Sequence, residues 1–298
     1  CMPKGYIFLI VLIFAFRLSI CSAQDNKGVP QSGFITVADS KLYYESTGKG
    51  KPIVLLHGGF MDTRMWDGQV KEFSKKYRVI TCDLRGHGKT VDGDSSYFMY
   101  EAIRMLLDSL NEKKADIAGL SLGATIATDF AIEYPQYVNK LLLITPGLNS
   151  LDTTFVQDST MEKYSILMDS AVKRKDIALA AEYFIRSWFD GPFRSPQQTD
   201  TALRKTVLAI ATSTMKIHQF MHWTRFAQPR AIGRLEKITA PTLIIVAEKD
   251  NYHILKNAEA LNKGITNSKI VTISNAAHLV NLEKPEEFNK IFLEFIRK

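Results

Sequence analysis

The sequence predicts an α/β fold: a mostly parallel sheet with helices on both faces and a block of helices inserted between two late strands. Three observations predict it. Short, wholly apolar runs such as Ile53-Val-Leu-Leu56 and Leu141-Leu-Leu-Ile144 read as strands buried on both faces. Segments with helical spacing alternate with them, as in Phe98 to Leu110, where Ile103, Leu106, Leu107 and Leu110 share a side. From Gly147 to about Leu235 that rhythm breaks and only helix-like segments remain. Strands alternating with helices imply parallel pairing inside two helical layers, and the break implies an insertion.

The elements follow in order. Lys4 precedes the apolar run Tyr6 to Phe16, and small residues at Cys21-Ser22-Ala23 follow it. A basic start, an apolar core too short to span a bilayer comfortably and small exit residues predict a secretory signal peptide over residues 1–23. Cleavage after Ala23 leaves an exported chain, periplasmic or secreted, with no stable membrane span. An uncleaved anchor and a lipid on Cys21 are the alternatives. Loss of Lys4 and Arg17 takes the formal charge from +7 to +5. That charge is spread along the chain without a basic stripe interleaved with aromatics, which argues against nucleic acid as a partner. One cysteine then remains, Cys82, expected as a buried, inert thiol.

Residues 24–32 read as a polar linker. Phe34–Val37 and Leu42–Ser46 alternate like a hairpin around Asp39-Ser40. Ile53–Leu56 is a buried strand ending in His57-Gly58-Gly59-Phe60, and Val79–Cys82 is another, ending in Asp83-Leu-Arg-Gly-His-Gly88. A short apolar segment then runs through Gly119-Leu120-Ser121-Leu122-Gly123 into a helix reaching Tyr134. After Leu141–Ile144 come helix-like segments at Met161–Lys173, Asp176–Phe189, Pro196–Thr212 and Met215–Ala227. Thr242–Val246, a helix around Ile254–Leu261, Ile270–Ile273 and a helix from Pro285 complete the pattern. The expected division is a core of residues 33–146 and 236–298 with a helical cap at 147–235.

Chemistry converges on Ser121. A serine on a sharp strand-to-helix turn projects its hydroxyl clear of the sheet, and the flanking glycines remove side chains that would clash there. Acyl transfer by such a serine also needs a base, an acid that orients the base, and N–H groups facing the oxyanion. In an open parallel sheet these groups belong in loops at the carboxyl ends of strands. His278, past the last strand, is the best-placed base, and Asp250, past Val246, the best-placed acid, with Glu248 as fallback. His57, His87 and Asp83 sit in glycine-flanked turns and are expected to make structural hydrogen bonds. His218 and His222 are one helical turn apart without a third ligand nearby in sequence, so no metal is expected. His253 lies on a loop and ranks low as a base. The N–H of Leu122 and of Gly59 are the expected oxyanion donors. Phe60, Met61, Trp188, Phe220 and Trp223 are candidates for lining an apolar pocket, although the cap aromatics suit packing equally well.

Taken together, Leu55-Leu-His-Gly-Gly59 with Trp66, Asp83 to Gly88, Gly119 to Gly123, Ala240-Pro-Thr-Leu243 with Asp250, and His278-Leu-Val-Asn-Leu-Glu-Lys-Pro285 resemble the α/β-hydrolase-fold serine hydrolases of the capped, single-domain type. The resemblance covers essentially everything after residue 32. It implies an eight-stranded, mostly parallel sheet, a triad of Ser121, Asp250 and His278, oxyanion donors at Gly59 and Leu122, and no cofactor. Haloalkane dehalogenases and epoxide hydrolases of this fold carry an aspartate at the elbow, so Ser121 argues against both. Proline iminopeptidases usually carry Gly-Gly-Pro-Gly where this chain has Gly58-Gly59-Phe60-Met61. Meta-cleavage-product hydrolases often have glycine where it has Ala124. Hydrolysis of a small, apolar carboxylic ester or lactone is the broadest fit, with esterases resembling cofactor-free haloperoxidases sharing the arrangement. C–C bond hydrolysis, acyl transfer, and a receptor-like binding role with slow turnover are the alternatives.

Overall fold

Eight strands form one sheet in the computed structural model, which describes residues 31–150, 159–218 and 225–298. In chain order the elements are β1 (Gln31–Val37), β2 (Ser40–Thr47), β3 (Pro52–Leu56), α1 (Asp67–Phe73), β4 (Arg78–Cys82), α2 (Met99–Ser109), β5 (Ala115–Leu120), α3 (Leu122–Glu133) and β6 (Val138–Ile144). The inserted block supplies α4 (Ser159–Lys173), α5 (Ile177–Ile185) and α6 (Thr201–His218). Then follow β7 (Thr242–Ala247), α7 (Tyr252–Gly264), β8 (Ser268–Ile273), α8 (Val280–Glu283) and α9 (Pro285–Arg297). Spatial order is β1-β2-β4-β3-β5-β6-β7-β8. Pairing is antiparallel for β1–β2 and β2–β4 and parallel for the rest. The hairpin turn itself is Ala38–Asp39, because Val37 pairs with Ser40. The segment proposed as a signal peptide lies outside the described residues. Among the described residues, no helix is long and apolar enough to cross a membrane.

Side-chain alternation assigns each strand residue to a layer, as a pleated strand requires. Val54, Leu56, Ile117 and Leu143 join one core cluster with residues of α2, α3 and α7. Their neighbours Ile53, Leu55, Ala118 and Leu142 join a second with α1, α9 and the inserted helices. The last helix shows how sequence fixes such a layer. Pro285 opens α9, where a missing N–H removes no helical bond, and Glu286, Glu287 and Arg297 complement the helix dipole. Phe288, Phe292 and Ile296, four residues apart, form its buried face. Phe292 packs against Phe73 with ring centroids 4.7 Å apart. Burying each such ring contributes about 1.5–3 kcal/mol. Cys82 is buried, and burial pushes its thiol pKa up, which keeps it protonated.

The inserted block differs from expectation in one respect. The segments expected at Pro196–Thr212 and Met215–Ala227 are replaced by a short helical turn, Pro196–Gln198, and one continuous α6. Thr212-Ser213-Thr214 does not break the helix, since the Thr212 hydroxyl donates back to Leu208 O at 2.7 Å and Thr214 is buried. Neither glycine nor proline is present there to stop it. Residues 225–227 are not helical. Residues 219–224, and with them His222, Phe220 and Trp223, lie outside the described residues.

Candidate active site

β5 lies between β3 and β6 in the sheet, and Ser121 follows it directly. Its backbone has φ 54° and ψ −110°, a conformation a non-glycine residue holds at a cost of about 1–3 kcal/mol. The hydroxyl does not cap α3, which leaves it free for other chemistry. The glycines on either side permit the bend. A Cβ on Gly119 would overlap the backbone of Gly123 and Ala124, and one on Gly123 would overlap the carbonyls of Leu56 and His57. Ser121 N–H donates to Ile144 O at 3.0 Å, and Gly147 N–H donates to Ser121 O at 3.1 Å, so the end of β6 and the loop after it together clasp the turn.

His278 and Asp250, 28 residues apart in sequence, meet in the interior. His278 Nδ1 lies 2.9 Å from Asp250 Oδ2 and 3.1 Å from Oδ1, and both residues are buried. A carboxylate only accepts, so Nδ1 carries the proton, and the neutral ring then presents Nε2 as an acceptor. Nε2 is buried and has no hydrogen-bond partner among the described residues. Asn251 N–H donates to Asp250 Oδ1 at 2.7 Å and fixes the carboxylate. Glu248 is exposed and instead accepts from Asn275 N–H at 2.8 Å, steadying the loop that leads to His278. Thr145 joins the halves of the site. It lies in the loop that holds Ser121, and its hydroxyl donates to His278 O at 3.0 Å.

The loop after β3 supplies the third part. A Cβ on Gly58 would lie 3.7 Å from Ser121 Cβ, so this loop runs beside the serine. Above Gly59 the space is open, since a Cβ there would meet nothing within 4 Å. His87 Nε2 accepts from Phe60 N–H at 3.0 Å, which engages that donor. His87 Nδ1–H donates to Arg85 O at 2.8 Å, and burial, with the nearby His57, pushes its pKa down to about 3. His57 is likewise satisfied at both nitrogens, donating from Nδ1 to Gly58 O and accepting Leu84 N–H at Nε2. Burial lowers its pKa, so it too stays neutral. Asp83 accepts from Thr63 N–H and Lys89 N–H. These three residues shape the loops, as their glycine-flanked settings implied.

The pocket candidates separate. Phe60 packs edge-on against Phe184 of α5 with centroids 5.0 Å apart. Trp188 packs against His278 with ring centroids 4.4 Å apart and planes inclined by 49°. His253, half-buried with its pKa lowered first by burial and then by His278, meets Trp188 edge-on at 5.6 Å. Met61 is wholly buried in the second core cluster, not on an open surface.

The family profile described as alpha/beta hydrolase fold matches residues 51–285. The chain belongs to the alpha/beta hydrolase fold family. Among alpha/beta hydrolases it is similar to 2-hydroxy-6-oxo-6-phenylhexa-2,4-dienoate hydrolase of Comamonas testosteroni. The two are 24% identical over 275 residues, covering 88% of this chain and 93% of that one. It is also similar to a monoacylglycerol lipase of Bos taurus, 27% identical over 297 residues, covering 89% of this chain and 82% of that one. A hydrolase structure from Pseudomonas aeruginosa PA01 superposes with a TM-score of 0.75 at 23% identity, covering 89% of this chain and 98% of the other.

One histidine has a role in this alpha/beta hydrolase that sequence reasoning missed. His218, at the end of α6, places Nδ1 3.0 Å from Asp92 Oδ2 and Nε2 3.1 Å from Gly88 O. Two acceptors on one ring require two N–H groups, so this geometry selects the imidazolium. Burial opposes the charge, but the bonds to Asp92 and Gly88 and the charges of Asp92 and Asp83 outweigh it and raise the pKa. A raised histidine pKa contributes stability that is complete below the unfolded value of about 6.5 and is lost as pH rises through the folded value. The melting-temperature gap between wild type and His218→Gln is therefore expected to be wider at about pH 6 than at about pH 9. Thermal unfolding followed at both pH values checks it, and equal gaps would rule the clasp out.

Proposed function

We propose that this alpha/beta hydrolase cleaves a small, apolar carboxylic ester or lactone through a Ser121–His278–Asp250 triad and an acyl-enzyme. The observation that carries the reading is His278, with Nδ1 tied to both oxygens of a buried carboxylate and Nε2 left as an unengaged acceptor. In this reading Nε2 takes the Ser121 proton as the hydroxyl oxygen attacks the substrate carbonyl. The developing oxyanion receives the N–H groups of Gly59 and Leu122, the latter at the positive end of α3. Collapse of the tetrahedral intermediate returns the proton from His278 to the departing alcohol. Water, activated by the same ring, then releases the acid. The inserted helices act as the cap, and Phe60, Phe184 and Trp188 bring uncharged aromatic surface to the site, which favours neutral acyl groups. The apolar run at Tyr6–Phe16 supports export of the chain.

The test combines a fluorophosphonate probe with a panel of p-nitrophenyl esters. Labelling of Ser121 and preferred turnover of neutral medium-chain or aromatic esters are expected. Turnover without labelling of Ser121 would overturn the serine mechanism, and preference for charged acyl groups would overturn the apolar site. Product analysis with added alcohols separates hydrolysis from acyl transfer.

A further inference from the structure

A turn of the inserted block sits on the His278 side of the site. Residues Arg186–Asp190 form one wide π-helical turn at the end of α5, and Trp188 is carried at its centre. Three links seat it. Gly191, at φ 74°, brings the chain so close that a Cβ would lie 3.2 Å from both Ala277 Cβ and Lys249 O. Those two residues directly precede His278 and Asp250. Asn251 Nδ2 donates to Ser187 O at 3.4 Å. The third link is the most specific. Arg194 donates from Nε to Asp190 O at 2.9 Å and from one terminal nitrogen to Phe189 O at 2.7 Å. Its other terminal nitrogen donates to Glu283 Oε2 at 2.5 Å, and Glu283 Oε1 accepts Ala277 N–H at 2.9 Å. Hydrogen bonds thus run without a gap from the carbonyls that end the Trp188 turn to the residue before His278.

Both side chains of the Arg194–Glu283 pair are 9% exposed. A buried ion pair contributes little net stability against an apolar pair of the same volume, so its presence points to geometry. The planar guanidinium fork, bonded three ways, fixes the turn in direction as well as distance. What it fixes is the indole against His278. In the triad reading the departing oxygen takes its proton from this ring, so the leaving group passes the imidazole that Trp188 adjoins. Phe60, beside Gly59, borders the oxyanion side instead.

We infer that Arg194 and Glu283 are positioning residues that hold Trp188 as the wall of the leaving-group subsite, and that this wall selects neutral, apolar alcohols. The inference rests on the triad reading above. Two ester series test it, one varying the alcohol with a fixed acyl group and one varying the acyl group with a fixed alcohol. They are run on wild type, Arg194→Met, Trp188→Ala and the double variant. Arg194→Met is expected to lower kcat/KM about tenfold, since small misplacements of a positioning group carry penalties of this order. The loss should differ from alcohol to alcohol and stay uniform across acyl groups. In the Trp188→Ala background the same substitution should change kcat/KM by less than about twofold, because residues acting as a unit are not additive. Arg194→Lys, which keeps the charge opposite Glu283, should recover part of the loss. Equal losses in both backgrounds, or a uniform loss across alcohols, would overturn the inference. Should Arg194→Met not fold, Glu283→Gln serves, as its amide oxygen still accepts Ala277 N–H. Fluorophosphonate labelling of the same variants separates the two readings. Absence of Ser121 labelling removes the triad itself, whereas labelled protein without the Arg194–Trp188 dependence removes only the positioning role.

Discussion

Ser121→Ala is expected to lower ester turnover about a million-fold, to a residue set by binding and the oxyanion donors alone. Alanine keeps the Cβ, so the φ of 54° and the bonds of the Ser121 backbone to Ile144 and Gly147 remain in place. The hydroxyl caps no helix, so no capping bond of α3 is lost with it. Melting temperature should therefore hold steady while kcat falls. Initial rates on the best p-nitrophenyl ester, with thermal unfolding as the control, check this directly. Retention of wild-type turnover by the variant would remove Ser121 as nucleophile and with it the acyl-enzyme.

Asp250→Asn should lower kcat about ten-thousand-fold, through the tautomer of its neighbour. The carboxylate accepts Asn251 N–H at Oδ1 and faces His278 Nδ1 with both oxygens. An asparagine has one acceptor oxygen to give. Turned toward Asn251, that oxygen keeps the backbone bond, and the amide NH2 then faces Nδ1. The ring must accept there and carry its proton on Nε2, where it cannot take one from serine. Fluorophosphonate labelling of Ser121 should slow along with turnover, while folding changes little. A variant that labels at the wild-type rate would show that the carboxylate does not set the tautomer.

The sequence carried the architecture because each level of it agreed. Runs such as Leu141–Ile144 are apolar at every position, as a strand covered on both faces requires, and all eight strands formed where such runs or alternating segments stood. Ser121, Asp250 and His278 stood out as candidates because each follows the carboxyl end of a strand in a parallel sheet. That topology brought Asp250 and His278 into hydrogen-bond contact. Arg194 and Glu283 were not legible. They are 89 residues apart, in a connecting loop of the inserted block and in α8, and an arginine in a loop or a glutamate on a helix looks like ordinary solvated surface. Thr145 drew no attention because a threonine is neither acid nor base, yet its hydroxyl ties the loop that contacts Ser121 to His278. The break expected between Thr212 and Met215 does not form in α6. The helix absorbed those residues by bonding a hydroxyl back to its own carbonyl and burying Thr214.

The ends of the inserted block have a consequence beyond the site. Ile232 N–H donates to Asn149 O at 3.3 Å, Asn149 Nδ2 donates to Ala227 O at 2.8 Å, and Arg230 donates to Ser150 O. Asp129 of α3 accepts Ala227 N–H at 2.9 Å, and Arg234 pairs with Glu133 of the same helix. Entry and exit thus meet at one point on a helix that begins beside Ser121. A segment whose two ends touch can be exchanged for another of different length without moving either flanking strand, since loop closure there is already satisfied by the scaffold. The chain is built as a fixed scaffold with a replaceable insert, and a graft between Asn149 and Ile232 is expected to leave the sheet as it is.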